Sequence, residues 1–130
     1  MASGMKLSVT HAEDTPFESE GLRTFFEYRD LGIGRSTGGR FHAHVIRARE
    51  GHGERVGWHK HDLDFQMVYI LKGWAIFEYE GKGEVKLGPG DCVHQPPGIR
   101  HREVDHSDDL ELIEITSPAE YATADAEAPA

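Results

Sequence analysis

The chain has 130 residues and a formal charge of −9, which is enough for one domain with a real core and too short for two ordinary ones. The acidity argues against nucleic acid or an anionic membrane surface as a general partner. No apolar stretch approaches the roughly 20 residues of a membrane helix.

The N-terminal "MASGMKLSVT" lacks the apolar core of a signal peptide. Met5 reads as a possible native start, so residues 1–4 stay outside the fold argument. Residues 1–21 are poorly patterned and are expected to be a partly ordered N-terminal segment. Cys92 is the single cysteine, so no internal disulfide staples the fold, and a reduced cytoplasmic setting is expected.

From residue 22 onward, glycine and proline separate short runs of period-2 character. "LRTFFEYRDLG" opens strand-like, and "RFHAHVIRA" alternates. "QMVYIL" stops at Lys72-Gly73, and "WAIFEYE" stops at Gly81. Glu80-Gly81-Lys82-Gly83 is a hairpin turn, followed by "EVKL" and the Gly88-Pro89-Gly90 turn. "DCVHQ" ends at Pro96-Pro97-Gly98, and "HREVDH" and "LELIEIT" complete the series. No segment keeps a 3.6-residue period over 11 or more positions. This spacing predicts an all-β sandwich or barrel. The single domain runs roughly from Leu22 to Thr116. Residues 117–130, small and acidic, are expected to form a mobile tail, at most with a short helix.

Strand residues i and i+2 point to one face. His59 and His61 in "GWHKHDLDFQ" therefore aim together, Gln66 opens the next strand, and His101 opens another about 40 residues on. Three imidazoles and one amide oxygen can converge on one ion and leave positions open. Imidazole suits Fe, Mn, Ni, Cu and Zn alike, so the donors do not name the metal. His42 and His44 in "HAH" also share a face, and solvent-exposed or hydrogen-bonded histidine is the simpler reading for such a pair.

The spacing of two blocks adds context. Gly53 is followed by five residues and His59, one residue and His61, four residues and Gln66, and six residues and Gly73. Gly90 is followed by five residues, Pro96-Pro97-Gly98, two residues and His101. These blocks, about 16 residues apart, resemble the paired motifs of the cupin superfamily. The resemblance covers most of residues 53–105. It implies a jelly-roll β-barrel holding one divalent transition metal, with His59, His61 and His101 as ligands and Gln66 where the family usually has glutamate. Gly73 and Gly90 are expected at turns needing positive φ, and Pro96-Pro97-Gly98 at a tight bend before His101.

The family's terminal asparagine is replaced here by Asp105. An amide in place of a carboxylate leaves a divalent site at +2 rather than +1, favouring an anionic ligand. On that argument Gln66→Glu is expected to tighten metal binding and weaken binding of anions. Gln66 alternatively holds a water or substrate by hydrogen bond. Glu103 and Asp105 share the His101 face if that strand is regular. They are candidates for support of the ligands or for a general base, against the plainer reading of solvent-facing carboxylates at the barrel rim. Asp62 and Asp64 are read as a solvated loop. Tyr69, Trp74, Phe77 and Tyr79 are read as core or dimer face, and Cys92 and His94 as packing.

Small single-domain cupins resemble flavonol and β-diketone dioxygenases in arrangement, and where a glutamate ligand is lacking, three-histidine iron dioxygenases are the closer likeness. The resemblance implies a metal-dependent dioxygenase acting on a small anionic bidentate substrate. Redox-neutral isomerisation, cyclisation or elimination, and non-catalytic small-molecule binding, stand as alternatives. It also implies a homodimer, with "TFFEYRDL" and "FHAHVI" supplying the face.

Overall fold

A computed structural model describes residues 4–19, 25–49 and 57–130. Gly53 and the run from Leu22 to Thr24 lie outside the described residues.

The elements follow the glycine and proline punctuation. β1 (Phe26–Asp30), a single helical turn α1 (Ile33–Ser36), β2 (His42–Ala48), β3 (His59–Asp62) and β4 (Phe65–Lys72) come first. β5 (Ala75–Tyr79), β6 (Gly83–Leu87), β7 (Cys92–His94), β8 (His101–His106), β9 (Glu111–Ser117) and β10 (Ala122–Asp125) follow. They form two five-stranded sheets in the orders β1-β2-β9-β4-β7 and β10-β3-β8-β5-β6. Every pairing is antiparallel. The fold is all-β, a jelly-roll barrel.

Alternation explains which faces meet. Val68 and Ile70 of β4 and Leu112 of β9 point inward from one sheet. They pack with Ala75 of β5 and Leu87 of β6 from the other, and with Phe26 and Leu110. Ile70 and Leu110 are fully buried, and each such side chain contributes about 1.5–3 kcal/mol of apolar burial.

The turns behave as their sequences require. Lys82 N donates to Tyr79 O in the β5–β6 hairpin. Gly73, Gly90 and Gly98 have φ of 73°, 89° and 76°. Gly98 N donates to His61 O at 3.1 Å, which ties the proline-rich bend before β8 directly to β3.

Three expectations are corrected. The tail is neither mobile throughout nor helical: Ala122–Asp125 form β10, paired to β3 from Ala122↔Asp62 to Asp125↔His59. Asp105 does not share the His101 face. A register shift places Ile76 opposite Asp105 but Phe77 opposite Glu103, so Asp105 turns out to solvent and His106 turns in. Cys92 is exposed rather than packed, and His94 stacks on Phe65 with ring centroids 5.4 Å apart. Tyr69, read as core or dimer face, is not core: it is exposed on the outer face of β4.

Candidate metal centre

The three motif histidines meet. His59 and His61 leave β3 on one side, and His101 stands opposite His59 across the β3–β8 pair. Ring centroids lie 4.3 Å apart for His59–His101, 4.9 Å for His61–His101 and 5.1 Å for His59–His61. One ligand atom from each falls within 4.8 Å of the others. His59 and His101 are buried, and His61 is partly so.

Their hydrogen bonds suit a metal. His59 Nδ1 bonds Gly57 O at 3.1 Å, and His101 Nδ1 bonds Ile99 O at 3.0 Å. A carbonyl only accepts, so each Nδ1 carries a proton, and in the neutral ring Nε2 is left with the lone pair. His61 Nδ1 lies 2.8 Å from Thr123 Oγ1 on β10. Outer contacts of this kind set ring orientation and tautomer in imidazole metal sites. This cluster can hold a metal ion.

Gln66 lines the same cavity and is buried. Its Nε2 donates to Glu114 Oε2 at 2.9 Å. Glu114 Oε1 lies 2.7 Å from His44 Nε2, and His44 Nδ1 lies 3.1 Å from His42 Nε2. His44 also lines the cavity, and His42 and His44 are linked to Gln66 through Glu114. Burial works against charge on Glu114. Hydrogen bonds from His44 and Gln66, with the charges of His44 and His61, outweigh it and hold its carboxyl below the ordinary range. Burial, followed by the charge of Glu114, pushes the Tyr79 phenol up. The Tyr79 hydroxyl is buried with no hydrogen-bond partner among the described residues.

Glu103 is buried and lines the cavity rather than facing solvent at a rim. Its Oε1 bonds His106 Nδ1, and the His106 ring packs on Phe25 and Phe26. Asp105 caps the His106 backbone N–H from outside. Asp62 and Asp64 are exposed.

Sequence reasoning missed Glu114, Gln95, Tyr121 and Thr123. Glu114, Gln95 and Tyr121 line the cavity, and Tyr121 meets the His61 ring edge-on at 5.4 Å. A signal for Glu114 existed. In "LELIEIT", Leu110, Leu112, Glu114 and Thr116 share a face, and a carboxylate interrupting an inward apolar face needs partners.

The Cupin domain family model matches residues 47–116. The chain is 36% identical over 64 residues to an oxalate-binding protein of Thermotoga maritima, covering 48% of this chain and 52% of that one. It is 40% identical over 45 residues to an acireductone dioxygenase of Bacillus pumilus, covering 32% of this chain and 26% of that one. The matched stretches thus span about half and about a quarter of these relatives. The polyketide cyclase RemF from Streptomyces resistomycificus superposes with a TM-score of 0.71 at 17% identity, over 95% of this chain and 87% of that one. Its likeness is one of fold. With its two motif blocks inside the matched span and their three histidines gathered in one barrel, the chain belongs to the cupin family.

Proposed function

We propose that the protein is a metal-dependent enzyme that chelates a small anionic bidentate substrate, such as a diketone, flavonol or related enol, and oxidises it with dioxygen. The observation carrying this reading is the cavity over the histidine cluster. Its volume is about 260 Å³. Phe26, Ile46, Val68, Phe77 and Leu112 form much of its wall, and neither lysine nor arginine lines it among the described residues. With no lysine or arginine among the described residues of the wall, a bound metal is left as the strong cation for an anionic head, and the apolar wall suits the body of the substrate. Oxalate, a dianion with no apolar body, would leave that wall unfilled.

His59, His61, His101 and Gln66 would hold a divalent Fe, Mn, Ni, Cu or Zn, which would supply positive charge for the substrate oxyanions and, if redox-active, electrons for dioxygen chemistry. The chain does the rest. The histidine Nδ1 contacts fix the donor geometry, and the apolar wall excludes water. The similarity of a 45-residue stretch to an acireductone dioxygenase supports the oxidative reading.

A second reading is redox-neutral isomerisation, cyclisation or elimination. It is favoured by Glu103 and Glu114, two carboxylates that line one cavity from opposite sheets. Each is held by a histidine and offers a proton acceptor beside the substrate.

The test is turnover of diketones, flavonols and keto acids after reconstitution with Fe²⁺, Mn²⁺, Ni²⁺ or Zn²⁺, with and without air. Oxygen uptake matched to substrate loss is expected. Equal turnover without oxygen favours the second reading, and tight binding without turnover indicates a binding module.

A homodimer belongs to the same reading. Phe65, Tyr69 and Leu71 project from the outer face of β4 at 37%, 39% and 42% exposure, and a second copy covering them removes apolar surface from water. Of the two stretches expected to supply the face, "TFFEYRDL" has Phe26 buried, and "FHAHVI" has Phe41 exposed. Light scattering on the wild type and a Tyr69→Lys, Leu71→Lys double variant tests it. Cytoplasmic location rests on the single unpaired, exposed Cys92.

A further inference from the structure

We infer that Glu114 is a positioning residue that orients the Gln66 amide, turning its oxygen towards the three-histidine cluster, and that this contact makes the site require an amide at position 66. The inference rests on the metal-site reading above.

A glutamine side chain has a donating end and an accepting end, and nothing in the residue itself decides which end faces a metal. A carboxylate decides it, because an ionised carboxylate only accepts. Gln66 Nε2 donates to Glu114 Oε2 at 2.9 Å, so Oε1 is the end left for the cavity that both residues line. Glu114 is held in turn. His44 Nε2 lies 2.7 Å from its other oxygen. His44 Nδ1 lies 3.1 Å from His42 Nε2. Glu114 is thus engaged at both oxygens, by His44 at Oε1 and by Gln66 at Oε2. The strands fix the register: His44 and Glu114 are cross-strand partners on β2 and β9. Gln66 stands opposite Thr116, two residues from Glu114 on the same face of β9.

This reverses the expectation from charge alone. Gln66→Glu would put an oxygen where the donating Nε2 stands, against Glu114. Two acceptors would then face each other with no donor between them. The introduced carboxylate would lose the position that Glu114 gives the amide and would compete poorly for a metal. The gain that a carboxylate ligand normally brings should appear only when position 114 can donate to it. Glu114→Gln provides that donor and exchanges the two ends of the contact.

The experiment is a double-mutant cycle on the full chain, with Mn²⁺ titrated into apo-protein and free Mn²⁺ read by electron paramagnetic resonance. The wild type, Gln66→Glu, Glu114→Gln and the double variant are compared. Gln66→Glu alone should bind Mn²⁺ no tighter than wild type. In the Glu114→Gln background, the same substitution should tighten binding by about tenfold or more. Equal tightening in both backgrounds overturns the inference while leaving the metal site in place. A wild type that takes up no Mn²⁺, Fe²⁺ or Zn²⁺ overturns the metal reading, and this inference falls with it. A measurement on wild type alone guards against variants that fail to fold. The Gln66 side-chain NH₂ should give resolved, exchange-protected proton signals in a ¹⁵N correlation spectrum. Signals typical of a solvated glutamine overturn the inference.

Discussion

Thr123 Oγ1 lies 2.8 Å from His61 Nδ1, and the two residues stand opposite each other in the β3–β10 pair. The last strand thus supplies the outer contact of a histidine in the metal cluster, where His59 and His101 use backbone carbonyls. Loss of such contacts typically costs 10–100-fold in metal affinity. Thr123→Val, which keeps shape and removes the hydroxyl, should weaken Zn²⁺ binding by about tenfold or more. Thr123→Ser should restore it. Competition with a chromophoric chelator reads both, and a Val variant with wild-type affinity would show that the hydroxyl does not orient His61.

Much of this site is legible in the sequence because its parts obey local rules. HxH on a strand puts two rings on one side, and the Pro-Pro-Gly bend fixes where His101 starts. What was not legible has physical causes. All four residues of β10 are exposed, so that strand joins by its backbone and writes no apolar alternation. Asp105 misleads because a register shift in the β5–β8 pair lies between it and Glu103, and period 2 does not survive such a shift. The partner of Gln66 is Glu114, 48 residues away, and no short window joins the two.

On the proposed ligand set, removal of any one histidine would leave two imidazoles and an amide, too few strong donors to retain an ion through dialysis. His59→Ala, His61→Ala and His101→Ala should each lose bound metal. Mass-spectrometric metal analysis after dialysis, with circular dichroism to establish that the barrel is intact, is the measurement. A folded variant that retains a full equivalent would remove its histidine from the ligand set.

Gly73 closes the β4–β5 turn at a φ of 73°, and a Cβ there would lie 2.3 Å from Ser107 Oγ, 2.7 Å from Asp109 Oδ1 and 2.9 Å from Leu110 Cα. Ser107 cannot simply rotate away, since its hydroxyl accepts from Trp74 N at 2.9 Å, and Leu110 is core. Gly73→Ala combines left-handed strain with overpacking and should cost about 2 kcal/mol or more. Thermal unfolding should show Tm lowered by roughly 5 °C or more. Gly81→Ala is the control: its φ of 79° is similar, but nothing lies within 4 Å of its added Cβ, so it should lose less. Equal losses would assign the whole effect to backbone strain.

Glu80 holds the start of β8 from the hairpin side. Its Oε2 lies 2.6 Å from Arg100 Nη2, and its Oε1 accepts from Arg100 N. The side-chain hydrogen bond from Arg100, then the backbone one, hold the Glu80 carboxyl below its ordinary value of 4.5. A carboxyl depressed in the folded state stabilises above its unfolded pKa, and that contribution is lost as pH falls through the folded one. Both side chains are about a third exposed, so solvent screening keeps the effect small. Wild type should therefore melt slightly above Glu80→Gln at pH 7. The gap should narrow as pH falls below about 4.5 and close once Glu80 is protonated. Melting curves for both proteins from pH 7 to pH 3 measure it. A gap that stays constant to pH 3 would mean that the charge on Glu80 contributes nothing, and that the contact works through its neutral hydrogen bonds alone.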